Sequence, residues 1–193
     1  MITKATILWD QPGTFNRYVN ECCNVCCDHA THHMIAAPFY RARTVALIVP
    51  TGFANSTYSS LLPGLRASSR RIRSFVEKGG RLLVFGAMDY RAGAYDWLPF
   101  AVEYHHEFKQ RPLLFPEESG YASLIDGYDT SAVETDGYFR DYDADVVAET
   151  PDGEAVIISR TVGDGVVIVT ATHEYPSVPF MGAFCTAERE TLF

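Results

Sequence analysis

Four cysteines and three histidines fall within the thirteen residues ECCNVCCDHATHH, Glu21 to His33. Thiolates and imidazoles are the ligands of zinc and of iron–sulfur clusters, so the stretch has the composition of a soft-metal site. Local geometry decides whether it can act as one. On a helix, the sulfurs of Cys22, Cys23, Cys26 and Cys27 would share an arc of about 140°, with His29 or His33 able to join them. On a strand, Cys23, Val25 and Cys27 would point one way and Cys22, Asn24 and Cys26 the other, and the four could not converge. The spacing also lacks a second, separated cysteine pair.

A different metal chemistry is suggested by DYDAD, where Asp141, Asp143 and Asp145 alternate as at the start of a calcium loop. The sixth position is then Val146 instead of glycine, and the twelfth is Asp152 instead of a bidentate glutamate, so calcium is not expected. Nearby, ETDGYF places Glu134, Asp136 and Tyr138 on one face of a strand, which reads as a polar rim.

The elements that must position these residues follow from apolar runs and turn residues. ATILW, followed by QPG, reads as a first strand; TVALIVP and RLLVFG read as further strands covered on both faces. Between the last two, Leu65, Ile72, Phe75 and Val76 mark one helical face, and Gly79-Gly80 supplies a stop. Strand, helix, strand at this length predicts a parallel pair with a right-handed crossover. An α/β register needs another strand between ATILW and TVALIVP. CNVCC, after a helix through Phe15, Tyr18 and Val19, is the best placed candidate, which favours the strand geometry for the cysteines and a buried, unmetallated role for them. AVEYHHEF, AVETDGYF, ADVVAE, EAVIISRTV and GVVIVTA, separated by turns such as TPDG and VGDG, predict antiparallel additions in the second half.

The chain has 193 residues, 47% of them hydrophobic, and a formal charge of -8. One domain over residues 1–193 is expected, with no disulfides and no cofactor. The start MITKATILWD lacks the features of a signal peptide and no run is long enough to span a membrane, so a cytoplasmic location is expected. The net charge argues against nucleic acid as a partner. Arg66, Arg70, Arg71, Arg73 and Lys78 gather on the central helix, while Glu117 to Glu154 is acidic with Arg140 as its one base; both read as solvated faces.

The segments LIVPTGF, FVEKGG, RLLVFGAMDY and VVIVTATHE, spread over Thr44 to Pro176, resemble the class I glutamine amidotransferase-like superfamily, in particular its trehalose-utilisation-type members. The resemblance implies a flavodoxin-like α/β fold, with ligands outside the carboxyl ends of the strands. It also places a cysteine nucleophile at a sharp turn that here carries Gly86, followed by Ala87 and Met88. With no thiol there, glutamine hydrolysis by the usual route is not expected. His173 and Glu174 resemble the family's catalytic histidine and its glutamate, although His-Glu-Tyr-Pro replaces His-Pro-Glu. Gly52 resembles the glycine turn whose N–H binds an oxyanion, a geometry suited to an anionic ligand.

Asp10, Asn55, Asp89 and His173 all follow expected strands, so with Gly52 and Gly86 they form the expected ligand-binding set. The expected function is a small-molecule binding domain or assembly module that lacks the nucleophile. The alternatives are a hydrolase or transferase with His173 as base and Glu174 orienting it, and a metal or redox sensor built on Cys22 to Cys27. Related folds often self-associate, and the apolar segments SSLLPGL and YDWLPF would suit either a cover over a cleft or a subunit contact; the latter gives a homodimer as the expected assembly.

Overall fold

In the computed structural model, which describes residues 1–91, 93–116 and 120–193, the elements follow the apolar runs closely. Glu117, the first residue of the acidic stretch, lies outside the described residues. The strands are β1 (Ile2–Leu8), β2 (Cys26–Ala30), β3 (Arg43–Thr44), β4 (Ala46–Val49), β5 (Arg81–Val84), β6 (Glu103–Arg111), β7 (Val133–Arg140), β8 (Asp145–Glu149), β9 (Ala155–Val162), β10 (Gly165–Thr170), β11 (Thr186–Ala187) and β12 (Thr191–Leu192). The α-helices are α1 (Thr14–Arg17), α2 (His32–Ala36), α3 (Leu61–Glu77) and α4 (Val178–Phe184).

Among the described residues, the central sheet has ten strands. Its parallel part runs β2-β1-β4-β5-β10, the strand order of flavodoxin-like folds. β9 then pairs antiparallel with β10, β8 and β7 pair antiparallel with β9, and β6 pairs antiparallel with β7. The short β11 pairs antiparallel with the start of β1, and β3 and β12 form a separate two-stranded ladder. The expected architecture, mainly parallel and flavodoxin-like with antiparallel strands in the second half, is therefore present.

The parallel strands are apolar because both faces are covered. Ile7, Ile48, Leu83 and Ile168 are all fully buried in adjacent registers. The buried face of α3 carries Leu61, Leu65, Ile72, Phe75 and Val76, the stripe expected of an amphipathic crossover helix. Its opposite face uses the arginines to tie down loops. Arg66 pairs with Asp96, Arg73 donates to the Pro99 carbonyl, and Arg71 donates to the carbonyls of Ile35 and Tyr40 while lying over the Phe193 ring.

Two placements differ from the sequence reading. The strand expected at CNVCC begins three residues later, because the helix expected through Phe15 and Val19 runs on as a π-helical turn, Tyr18–Cys22. Cys22 thus closes a helix, Cys23 packs into the core, and Cys26 and Cys27 alone enter β2. Among the described residues, no three side chains of His, Cys, Asp or Glu gather where they could hold a metal. The second concerns SSLLPGL and YDWLPF: Leu61, Leu65, Tyr95 and Trp97 are buried, with Phe53 edge-on to both Tyr95 and Trp97, so these side chains belong to the core. No described helix is long and apolar enough to cross a membrane.

Candidate functional site

The carboxyl ends of β1, β4, β5 and β10 open onto a cavity of about 280 Å³. Trp9 follows β1, Pro50 and Thr51 follow β4, Phe85 follows β5, and His173, Glu174 and Tyr175 follow β10; residues at the start of α1 complete the wall. This is the crevice in which open α/β sheets of this order bind ligands. The volume is at the small end of the range for ligand pockets.

Of the residues expected to converge here, His173 and Glu174 line the cavity. Gly52 and Gly86 lie immediately beside its lining residues Thr51 and Phe85. The Gly52 N–H donates to the Gly86 carbonyl at 2.8 Å, which ties the two turns together and gives that N–H a partner other than an oxyanion. Gly52 has φ +87°, a conformation that favours glycine, so the turn itself accounts for the residue.

The other three polar candidates hold loops. Asp10 accepts from the Ser60 N–H at 2.7 Å and lies 2.8 Å from Nδ1 of His32. Desolvation pushes the Asp10 carboxyl upward, but the bonds from Ser60, His32 and Ser59 outweigh it and hold its pKa below the ordinary value. Asn55 donates to the Met88 carbonyl at 2.9 Å and accepts from the Thr57 N–H, linking the loop after β4 to the loop after β5. Asp89 accepts from the Arg91 N–H at 2.8 Å.

A residue read from the sequence as part of a polar rim is buried behind the cavity wall, against Gly86 and His173. Asp136, in β7, is fully buried, and among the described residues neither carboxylate oxygen has a hydrogen-bond partner. A Cβ added to Gly86 would stand 2.1 Å from Asp136 Oδ2. The carboxylate therefore fills the space into which a side chain at the turn after β5 would project. Its backbone is fixed on both sides: the N–H donates to the Ala171 carbonyl, and the carbonyl accepts from Tyr104 Oη and His106 Nδ1, each at 2.7 Å.

Asp136 is also the carboxylate nearest the imidazole. His173 Nδ1 lies 3.9 Å from Asp136 Oδ1, beyond hydrogen-bond length but within ion-pair range. Burial pushes the Asp136 carboxyl above its ordinary pKa, with His173 and His106 pulling the other way. Asp136 in turn raises the pKa of His173. Glu174, expected to orient His173, is engaged elsewhere: Oε1 accepts from the Glu134 N–H at 2.9 Å, while Oε2 is buried without a partner among the described residues. With Nδ1 turned to Asp136, Nε2 is the imidazole nitrogen left for another group.

The alternation in ETDGYF correctly joins Asp136 to one strand face, but β7 is buried at nearly every position and is flanked in the sheet by β6, by β9 and by the segment after β10. The aromatic residues were within closer reach of sequence reasoning. Trp9 ends the first apolar run and Tyr175 follows His173-Glu174, the positions from which the same rule selected Asp10 and His173.

No protein-family model matches the chain, and no curated protein sequence matches it significantly. Among solved structures, a GMP synthase-like protein from Thermoplasma acidophilum is 12% identical with a TM-score of 0.61, the match covering 96% of this chain and 94% of that one. A cytoplasmic protein from Salmonella typhimurium LT2 is 15% identical with a TM-score of 0.56, covering 92% of each chain. A β-galactosidase from Bacillus circulans sp. alkalophilus is 12% identical with a TM-score of 0.52 over 94% of this chain, which spans only 30% of that enzyme. At these identities the likeness is one of fold alone.

Proposed function

We propose that this chain is a small-molecule receptor, built on an amidotransferase-like fold whose cleft is kept and whose nucleophile is replaced. The observation that carries the reading is the packing of Gly86 against the buried Asp136, with 2.1 Å between a Cβ at Gly86 and Oδ2. A cysteine there would collide with the carboxylate, while the cavity beside it stays open at the carboxyl ends of the parallel strands. Screening a mixed library of charged and neutral fragments by protein-observed NMR tests this. Hits should move the resonances of Trp9, Phe85 and Tyr175 and be lost in Thr14→Trp, which fills the cavity from its exposed rim. Hits confined to other surfaces, or none at all, would sink the receptor reading.

The proximity of Asp136 and His173 supports a second reading, general acid–base catalysis. His173 Nε2 would take a proton from water as its oxygen attacks an acyl carbonyl in the cleft. Asp136 would balance the imidazolium, and the proton would pass to the leaving group. Acyl-ester turnover abolished by His173→Ala and reduced by Asp136→Asn would favour this reading over the receptor; its absence across an ester and amide panel would leave the receptor alone.

A further inference from the structure

Resting on the receptor reading, we infer that the cleft takes a small organic cation, an alkylated or quaternary ammonium group held by Trp9, Phe15, Phe85 and Tyr175 with Glu174 supplying the opposing charge. These four rings line the cavity together with Glu174, and among the described residues no lysine or arginine does. The rings present differently oriented surfaces. Phe15 meets Phe85 at 76° with centroids 5.7 Å apart, and meets Tyr175 at 59° and 5.2 Å. Aromatic faces carry negative electrostatic potential, and several of them around one small space attract a diffuse cation more than a neutral group of the same shape.

Charge on the remaining wall agrees. Glu174 Oε2 is buried and has no hydrogen-bond partner among the described residues, a state that leaves a carboxylate oxygen uncompensated unless a cation stands near it. The one basic group lining the cavity, His173, already faces Asp136 at 3.9 Å, and Glu134 and Glu174 both act on it as nearby negative charges. An anion in the same place would be surrounded by the aromatic rings and repelled by the Glu174 carboxylate in the wall. The glycine turn that suggested an anionic ligand offers little against this, since the Gly52 N–H is bonded to Gly86.

Three probes of nearly one shape separate the cases: choline, 3,3-dimethylbutan-1-ol and 3,3-dimethylbutanoate, carrying positive, zero and negative charge. Each is titrated into the full chain while the Trp9 indole N–H and the Tyr175 ring are followed by NMR. Choline is expected to bind about tenfold more tightly than the alcohol, and the carboxylate most weakly. Glu174→Gln should bring choline to within about twofold of the alcohol, and Tyr175→Leu, which removes a partly exposed ring but keeps an apolar side chain, should weaken choline more than the alcohol. Equal affinity for choline and the alcohol, or a preference for the carboxylate, overturns the cation inference while leaving the receptor standing. No response of the cleft to choline also overturns it; the fragment screen then judges the receptor separately.

Discussion

Asp136 occupies the space that a side chain on Gly86 would need, although Gly86 follows β5 and Asp136 lies in β7, far apart in the chain. Gly86→Ala should therefore destabilise the protein by about 1–3 kcal/mol, the usual range for overpacking a buried site. Removing the obstruction should relieve it. In a double-mutant cycle with Asp136→Ala, the two substitutions should together be less damaging than their sum, measured by urea unfolding. Strict additivity would show that the contact does not exist in solution. Gly86→Cys should be destabilised likewise and show no glutamine hydrolysis.

The buried carboxylate has a defined pH signature. Its folded-state pKa is raised above 3.8, so its contribution favours the fold below that value and is lost as pH rises through the folded pKa. Asp136→Asn should thus match the wild type in acid and become the more stable of the two toward neutral pH. A loss of stability in the variant that grows with pH would mean that the charged form is well paired.

His173 has a raised pKa whose largest cause is Asp136. Its imidazole should titrate above 6.5 in NMR pH series and fall back toward that value in Asp136→Asn. Any stability it contributes is present below 6.5 and fades as pH rises through the folded value. An unchanged midpoint in the variant would break the proposed pairing.

The cysteines divide by environment. Burial pushes Cys27 and Cys185 up to about 12 and raises Cys23, whereas Cys22 and Cys26 are exposed. Iodoacetamide at neutral pH should modify the exposed Cys22 and Cys26 first and the buried Cys23 and Cys185 and half-buried Cys27 far more slowly, because the reagent must reach the sulfur and the thiolate reacts. Mass spectrometric mapping checks the order. Early labelling of Cys185 would show that α4, which ends beside it, opens readily.

Asp10 serves as a clamp between the end of β1, α2 and the start of α3. Asp10→Ala should cost about 1–3 kcal/mol, as expected for losing bonds to a charged acceptor. Because its folded pKa is lowered, the stabilisation is present above 3.8 and disappears as pH falls through the folded value. Thermal unfolding at neutral and acid pH reads both effects. An unaltered melting temperature at neutral pH would contradict the clamp.

Most strands were legible because their burial is written in consecutive residues: ALIV, RLLV and VVIVT are apolar wherever both faces are covered. The position of β2 was not, since a π-helical turn adds residues without any change in the apolar pattern of YVNEC. His173 and Glu174 could be placed in the cleft because they follow a strand directly. Asp10, Asn55 and Asp89 follow strands just as directly, yet their side chains turn to backbone groups of their own or neighbouring loops, a choice made by loop geometry. Asp136 was hidden for another reason. Its neighbours Gly86 and His173 are set by strand order, which no local stretch of sequence records.

The cleft lies where two stretches of chain are sewn together: Trp9 and Phe85 come from before the β5–β10 seam, and His173 and Tyr175 from after it. A molecule filling the cleft grips both, and can do so only while they are docked. It therefore acts as a clasp, and occupancy is converted into cohesion: ligand at about a hundred times its Kd would add about 2.7 kcal/mol to the unfolding free energy. Backbone amides on both sides of the seam, in β1 as well as β10, would exchange more slowly with solvent as the clasp closes.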